Sequence, residues 1–408
     1  MNACVLTIGD ELLQGFTIDT NSTWLGTTLL PYGIYITKKI TVGDDLEIIK
    51  KIVQELLDDN FDMLFITGGL GPTHDDITKE AFRQLFNDEY YLDEEYYHKL
   101  KLRFEKRIKK MPEINKSQAM MLKKANPILN EIGSALGLYF LQQSTQIFVM
   151  PGVPREMKIM IQNQIIPKYF KSSPKNKFIT LKTAGVMESH LAEQASSLIK
   201  KYTGAFKFAF LPHYNGVSFR INQIESSQNI EKVSEEFISV MRPYYYGKNE
   251  DTLESVLGKL LIKKGHTIAL AESCTGGLIG KRLTDVSGSS NYFLGSITAY
   301  SNSLKEQLLN VSSNTIESFG AVSEEIAIEM AEKIKTTTNA HIGVSTTGIS
   351  GPTGGSEEKP VGLVYIGIAT PFKSFVKKYN FPFNRYIHRE MTATAALNLV
   401  RLSYNDLA

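Results

Sequence analysis

Two cysteines in 408 residues, Cys4 and Cys274, stand 270 positions apart. That is neither a disulfide framework nor a metal-ligand spacing, and it fits a reducing cytosol. No stretch of about 18 apolar residues occurs, which excludes a membrane-spanning helix. The amino end, MNACVLTIGDELL, has no basic lead before Asp10 and Glu11, so no secretory leader is expected and the location expected is cytoplasmic. A surplus of one charge is lacking too: 45 basic residues against 43 acidic ones give +2. No global field holds a polyanion, so neither nucleic acid nor a membrane is expected as partner. Tryptophan occurs once, and hydrophobic residues at 42% with charged residues at 22% describe an ordinary globular chain. At about 150 residues per domain the length points to two or three domains, and we read three.

What is present alternates. Apolar runs at 3–8, 34–42, 63–67 and 147–150 read as buried strands. DDLEIIKKIVQELLDD (44–59) reads as a helix, with Ile49, Ile52, Val53 and Leu56 in one stripe behind a capping aspartate. This predicts a mostly parallel α/β sheet, covered on both faces, over 1–170. KSSPKNK (171–177) reads as a polar joint, followed by a strand, a helix near 191–201 and strands around 206–210 and 217–224. These make a small α+β domain over 171–250. A second α/β run fills 251–408, with strands near 267–270, 292–300, 342–347 and 361–369 and a terminal helix at about 385–403. The fold class expected is therefore two parallel or mixed-sheet α/β domains joined by a small α+β domain. The basic segment HKLKLRFEKRIKK (98–110) has Leu100, Phe104 and Ile108 as a buried stripe, which leaves its lysines on a wet face. The two loops with a GPT core, GGLGPTHDD (68–76) and GISGPTGGSEE (348–358), have unlike flanks and read as unrelated strand-end turns.

TGGLGPTHDDIT follows the strand MLFIT and precedes a helix, where an open α/β sheet presents ligands. Gly68, Gly69 and Gly71 allow close backbone approach, so their amides can face a phosphate, with the Thr73 hydroxyl beside them. Asp75 and Asp76 would repel that phosphate unless a hard divalent cation lay between them. The alternative is that these aspartates cap the helix, or that 73–76 is ordinary turn chemistry.

AESCTGG (271–277) likewise follows a strand, TIAL, and opens a helix. Ser273 or Cys274 as nucleophile needs a base. His266 lies at the far end of the preceding strand; His341 and His388 would have to fold back. The other candidate is TAYSNSLKEQL (298–308), where Tyr300 and Lys305 can reach one rim. A lysine at its usual pKa of about 10.4 is a poor base at neutral pH, so Lys305 must be desolvated, and the Tyr300 hydroxyl can relay the proton from Ser273. Read singly, Ser273 is a helix cap, Tyr300 core, Lys305 a surface cation and Cys274 a small buried hydrophobe.

Taken as a set, these motifs resemble a known family. GDELLQG (9–15), VGDD (42–45), the Gly68–Asp76 loop, NKSQAM (115–120) and MPGVPREM (150–157) resemble the molybdopterin-binding fold found in MogA, MoaB and the amino half of CinA. AESCTGGL, GSSNYFLGSITAYSN, GAVSEE (320–325) and GISGPTGGSEEKPVGLVYIG (348–367) resemble the CinA carboxy-terminal domain, the nicotinamide-mononucleotide amidase PncC. The middle segment, including FAFLPHYNGVSFRINQI (208–224), resembles the family's small KH-like module but lacks a GxxG loop that clamps nucleic acid.

The resemblance implies Ser273 as nucleophile, activated by Tyr300 and Lys305, with no cofactor for the amidase. It implies substrate contacts from Thr275, Gly276 and Gly277, from Gly351, Gly354 and Gly355 in the second glycine loop, and from Arg385 and Arg389 in the final helix. In the amino half it implies ADP-ribose hydrolysis with a divalent ion, Mg, Mn or Co alike, at Asp44, Asp75 and Asp76, and a homodimer acting on small nucleotides. The chain departs from the pattern at GSALG (133–137) in place of GTAPG, at Asn384 in place of aspartate and at Ser350 in place of alanine. The alternative function is a molybdopterin-binding or competence- and damage-associated interaction protein with an inactive amidase domain.

Overall fold

The computed structural model describes residues 1–108, 110–170, 177–224 and 228–405. It divides into two compact units, Met1–Asn176 and Lys177–Ala408. The predicted joint at 171–177 lies, but for Lys177, outside the described residues.

The first unit is built on a six-stranded sheet in the order Tyr35–Val42, Asn2–Ile8, Met63–Thr67, Thr145–Met150, Gly137–Gln142 and Asn126–Ile128. The first four strands are parallel and the last two antiparallel. Sequence patterning did not separate these cases, yet one feature forces the change of direction. Only Gln143 and Ser144 join Gly137–Gln142 to Thr145–Met150, and a parallel pair needs a crossover of a dozen residues. Met63–Thr67 is buried along its whole length, as a strand covered on both faces must be. The helix Leu46–Asp58 is capped by Asp45, whose carboxylate takes the Ile48 N–H at 2.9 Å, and it buries Ile49, Val53 and Leu56. The basic segment lies on the helix Glu94–Ile108, with Leu100 buried and Phe104 packed against the core.

The second unit holds two sheets. A four-stranded antiparallel sheet runs in the order Phe206–His213, Gly216–Gln223, Phe178–Thr183, Tyr245–Lys248, with helices Glu188–Tyr202 and Ile230–Met241 packed on it. A five-stranded sheet runs Phe293–Thr298, Ile268–Glu272, Ile342–Gly348, Leu363–Ala369, Ser374–Asn380. Its first three strands are parallel, and Glu272 stands opposite both Thr298 and Thr346. That register brings the carboxyl ends of three strands to one edge. Among the described residues no helix is long and apolar enough to cross a membrane.

Candidate active site

At that edge the fully buried strand Ile268–Glu272 breaks into a turn and restarts as the helix Leu278–Thr284. Gly276 and Gly277 take φ of 60° and 88°, a left-handed region closed to most side chains, so the reversal needs them. Glu272 fixes the turn from below. Wholly buried, it accepts the N–H of Ile279 at 3.1 Å and of Gly280 at 2.9 Å, and the Ser296 hydroxyl at 3.0 Å. Its negative charge also faces the positive end of that helix. Glu272 was missed in the sequence, although a carboxylate ending an apolar strand is itself a signal of buried polar work.

Ser273 is 9% exposed, and Lys305, on the helix Asn302–Leu309, is 1% exposed. Lys305 Nζ lies 3.2 Å from Ser273 Oγ, 3.0 Å from the Ala299 carbonyl and 3.3 Å from the Tyr300 carbonyl. No carboxylate pairs with it among the described residues. Burial therefore pushes the Lys305 amine down from its usual range, with only a weak opposing pull from Cys274. The geometry has a direct chemical meaning. Carbonyl oxygens only accept, so Nζ donates to Ala299 and Tyr300; its third contact, with Ser273 Oγ, is a donation from the ammonium and becomes an acceptance of the hydroxyl proton once the amine is neutral. In its neutral form the amine is placed as a base beside a nucleophile would be.

The phenol expected to relay the proton does not stand between them. Lys305 reaches Ser273 directly, while the Tyr300 side chain is 57% exposed and accepts a hydrogen bond from Arg385 at 2.6 Å. It is the Tyr300 main-chain carbonyl that touches the amine. Cys274 is buried, its thiol pushed up to about 12 by desolvation, which leaves it a protonated neighbour. The histidines stay away: His266 stacks on His341 at 4.8 Å and meets Tyr404, and His388 is buried beside Phe381.

A cleft of about 190 Å³ opens over the pair, with Ser273, Cys274, Tyr300, Lys305, Ser350 and Arg385 in its lining. Several expected substrate contacts do not line it. The Thr275 hydroxyl is buried against Thr346 at 2.8 Å, and the Thr275 carbonyl is held by Arg389 at 2.6 and 3.1 Å, so Thr275 and Arg389 brace the turn. Gly276 and Gly277 shape the same turn. Gly351 lends its carbonyl to Arg385 at 3.2 Å, and Gly354 and Gly355 lie further along that loop, outside the lining.

The first unit shows a different balance. Gly68 and Gly69 are required by space: a Cβ would come 2.0 Å from the Ile8 carbonyl and 2.1 Å from the Thr78 hydroxyl. Their loop is not an open cradle, however. The Gly68 N–H goes to Met150, and the Asp76 carboxylate takes the N–H of Gly71 at 2.6 Å and of Thr73 at 2.7 Å together with the Thr73 hydroxyl at 2.5 Å. Asp76 is thus the staple of its turn, and the donors of Gly71 and Thr73 are taken up by it. Asp44 is half-buried and exchanges hydrogen bonds with Asp10, amide to carboxylate, at 3.0 and 3.2 Å. Burial raises its carboxyl; the Asp10 amide offsets this, and the charges of Asp10, Glu11 and Asp75 add to it. Among the described residues no three His, Cys, Asp or Glu side chains converge as a metal cluster.

Comparison with known proteins agrees along the whole chain. The family described as "CinA C-terminal domain" matches residues 250–404, and that described as "Probable molybdopterin binding domain" matches 4–171. A CinA-like protein of Chloroherpeton thalassium is 39% identical over 416 residues, covering 98% of this chain and 99% of the relative. A CinA-like protein of Desulforapulum autotrophicum is 37% identical over 98% of each chain. The crystal structure of a competence/damage inducible protein from Agrobacterium tumefaciens, at 34% identity, covers 37% of this chain and 96% of its own, with a TM-score of 0.36.

Proposed function

The chain belongs to the CinA family, and from that membership and the contact of Ser273 with a buried, carboxylate-free lysine we propose that its carboxy-terminal region deamidates nicotinamide mononucleotide. The 3.2 Å approach of Lys305 Nζ to Ser273 Oγ carries the reading. Ser273 Oγ attacks the carboxamide carbon while its proton passes to Lys305. The tetrahedral oxyanion falls to amides of the turn; the Cys274 N–H, beside the nucleophile, donates to no oxygen among the described residues. Collapse breaks the C–N bond, Lys305 returns the proton to the leaving nitrogen, and ammonia departs. Water, deprotonated by the same amine, then opens the ester to give nicotinate mononucleotide and free Ser273. Arg385, steadied at the rim by Tyr300 and Gly351, supplies a cation for the substrate phosphate. The enzyme would act in the cytoplasm as a homodimer on free nucleotides of pyridine-nucleotide recycling.

The test is release of ammonia and nicotinate mononucleotide by the purified chain, with Ser273→Ala as control; no ammonia from the wild type would end the proposal. The pH dependence offers a second check. Only the neutral amine accepts a proton, and burial lowers Lys305 from 10.5, so the rate should climb with pH and level off below pH 10.5. A flat profile across the acid side removes Lys305 as base.

A second proposal concerns the first unit: hydrolysis of ADP-ribose with a divalent ion. Its support is Asp44, whose crowding by Asp10, Glu11 and Asp75 a cation would relieve. Asp44 and Asp75 would hold such an ion, with substrate phosphate and water completing its shell, as suits magnesium. It would supply charge neutralisation at the diphosphate. Asp44→Ala and a chelator should each cut formation of AMP and ribose phosphate by about tenfold or more. Asp76→Ala should instead lower the melting temperature, because three donors lose their acceptor. Activity indifferent to chelator and to Asp44→Ala excludes the ion.

A further inference from the structure

Away from the reaction cleft, a cavity of about 550 Å³, against about 190 Å³ for the cleft, opens between the four-stranded sheet and the final helix Arg385–Asn405. Small residues leave the room: Ala184 and Gly185 line one side and Ala395 the other. A Cβ on Gly185 would meet nothing nearer than the Asn398 amide at 3.7 Å. Four aromatic side chains line the space. Tyr214 stands at the hairpin tip, where His213 pairs with Gly216, and Tyr244 enters just before the strand Tyr245–Lys248. Tyr379 and Phe381 stack on each other at 5.3 Å with planes 18° apart, which makes a flat wall. None of the four is sealed in the core. Tyr214 is 44% exposed and the other three are half-buried, so their surfaces are open to a ligand.

The charge of this lining has one sign. Glu188 contributes an exposed carboxylate that pairs with no cation among the described residues, and no lysine or arginine lines the cavity. His213 adds no charge at neutral pH, because burial, and then the nearby Lys182, hold its imidazole below the usual range. The surrounding cations are engaged or set apart. Arg401 donates to the carbonyls of Tyr245 and Pro243, Arg282 pairs with Glu254 and Glu390, and Lys182 lines only the adjoining cavity of about 380 Å³.

We propose that this cavity is a second ligand site, for a flat aromatic cation of the pyridinium type, its ring among Tyr214, Tyr244, Tyr379 and Phe381 and its charge toward Glu188. The face of an aromatic ring is electron-rich and attracts an organic cation, the more so where water is excluded. A concave space of this size, with mostly apolar walls and few polar groups, is the usual form of a small-molecule site. The parallel wall of Tyr379 and Phe381 suits a flat ring better than a spherical ammonium. Its walls come from both sheets' surroundings, so a bound ligand ties the two together. The site is independent of the amidase reading.

The experiment is calorimetry on full-length Ser273→Ala protein, in which no turnover interferes. The probes are 1-methylnicotinamide, its uncharged counterpart nicotinamide, and tetramethylammonium as a cation without a ring. 1-Methylnicotinamide should bind saturably, about tenfold tighter than either of the others, and raise the melting temperature. Tyr379→Leu should weaken it by about tenfold and Glu188→Gln by about 3- to 5-fold, with circular dichroism showing both variants folded. Glu188 is exposed, so its variant tests the site even if Tyr379→Leu unfolds. Equal binding of the charged and uncharged rings means an apolar space only, and tetramethylammonium binding as tightly removes the flat ring. Binding that neither variant weakens lies elsewhere on the protein. Each of these results, and equally no measurable binding of 1-methylnicotinamide, overturns the proposal.

Discussion

Lys305→Met should reduce ammonia release from nicotinamide mononucleotide by about 10²- to 10⁴-fold, the range a positioned general base contributes. Methionine is close to lysine in length and apolar, so it fills the buried space while removing the only amine that, among the described residues, meets Ser273. Two carbonyls, of Ala299 and Tyr300, lose a donor, but the cost of keeping an amine in a dry site disappears as well, so the fold should survive. Lys305→Arg should be as inactive as Lys305→Met, because a guanidinium cannot be deprotonated in a protein and offers Ser273 no lone pair. Circular dichroism and melting temperature establish that both variants are folded; ammonia assays at saturating substrate measure the loss. Wild-type rates in folded Lys305→Met would show that Ser273 is activated by something else. Tyr300→Phe should be far milder, since the phenol meets Arg385 rather than the nucleophile.

The largest effect on stability should come from Glu272→Ala. One truncation strands the amides of Ile279 and Gly280 in a dry interior and takes from the exposed Ser296 hydroxyl its acceptor. Each unpaired buried group costs about 1–3 kcal/mol, so two such amides predict a loss of about 2 kcal/mol or more in the second unit. Urea unfolding followed by fluorescence and circular dichroism should show a lower midpoint. Glu272→Gln keeps the shape but sets a donor against donors, and should fall between wild type and alanine. Ammonia release should drop too, because this carboxylate anchors the helix that the Ser273 turn opens onto. An unchanged midpoint in Glu272→Ala would mean that the network contributes nothing net.

Most strands were legible because buried runs such as 63–67 are continuous and apolar. Direction was less so. The antiparallel turn at Gln143 and Ser144 and the edge strand Ser374–Asn380 follow from loop length and pairing, which apolar periodicity does not encode. At the site, AESCTGG and the TAYSNSLK segment were visible as strand-end motifs. The aspartates of the first loop were visible too, but their partners were not: Asp76 spends its oxygens on Gly71 and Thr73.

The sequence by itself determined the class of fold and the family, since both rest on local pattern and motifs, and through the family resemblance it singled out Ser273 and Lys305 as candidates. Tertiary structure alone decided that Lys305 meets Ser273 without the Tyr300 phenol, that Arg389 and Thr275 brace the turn and that Glu272 anchors it. The reason is physical. Whether an amine is dry, whether a hydroxyl is satisfied and where a carboxylate spends its oxygens depend on atoms brought together from strands tens of residues apart, and no single stretch of chain contains that information.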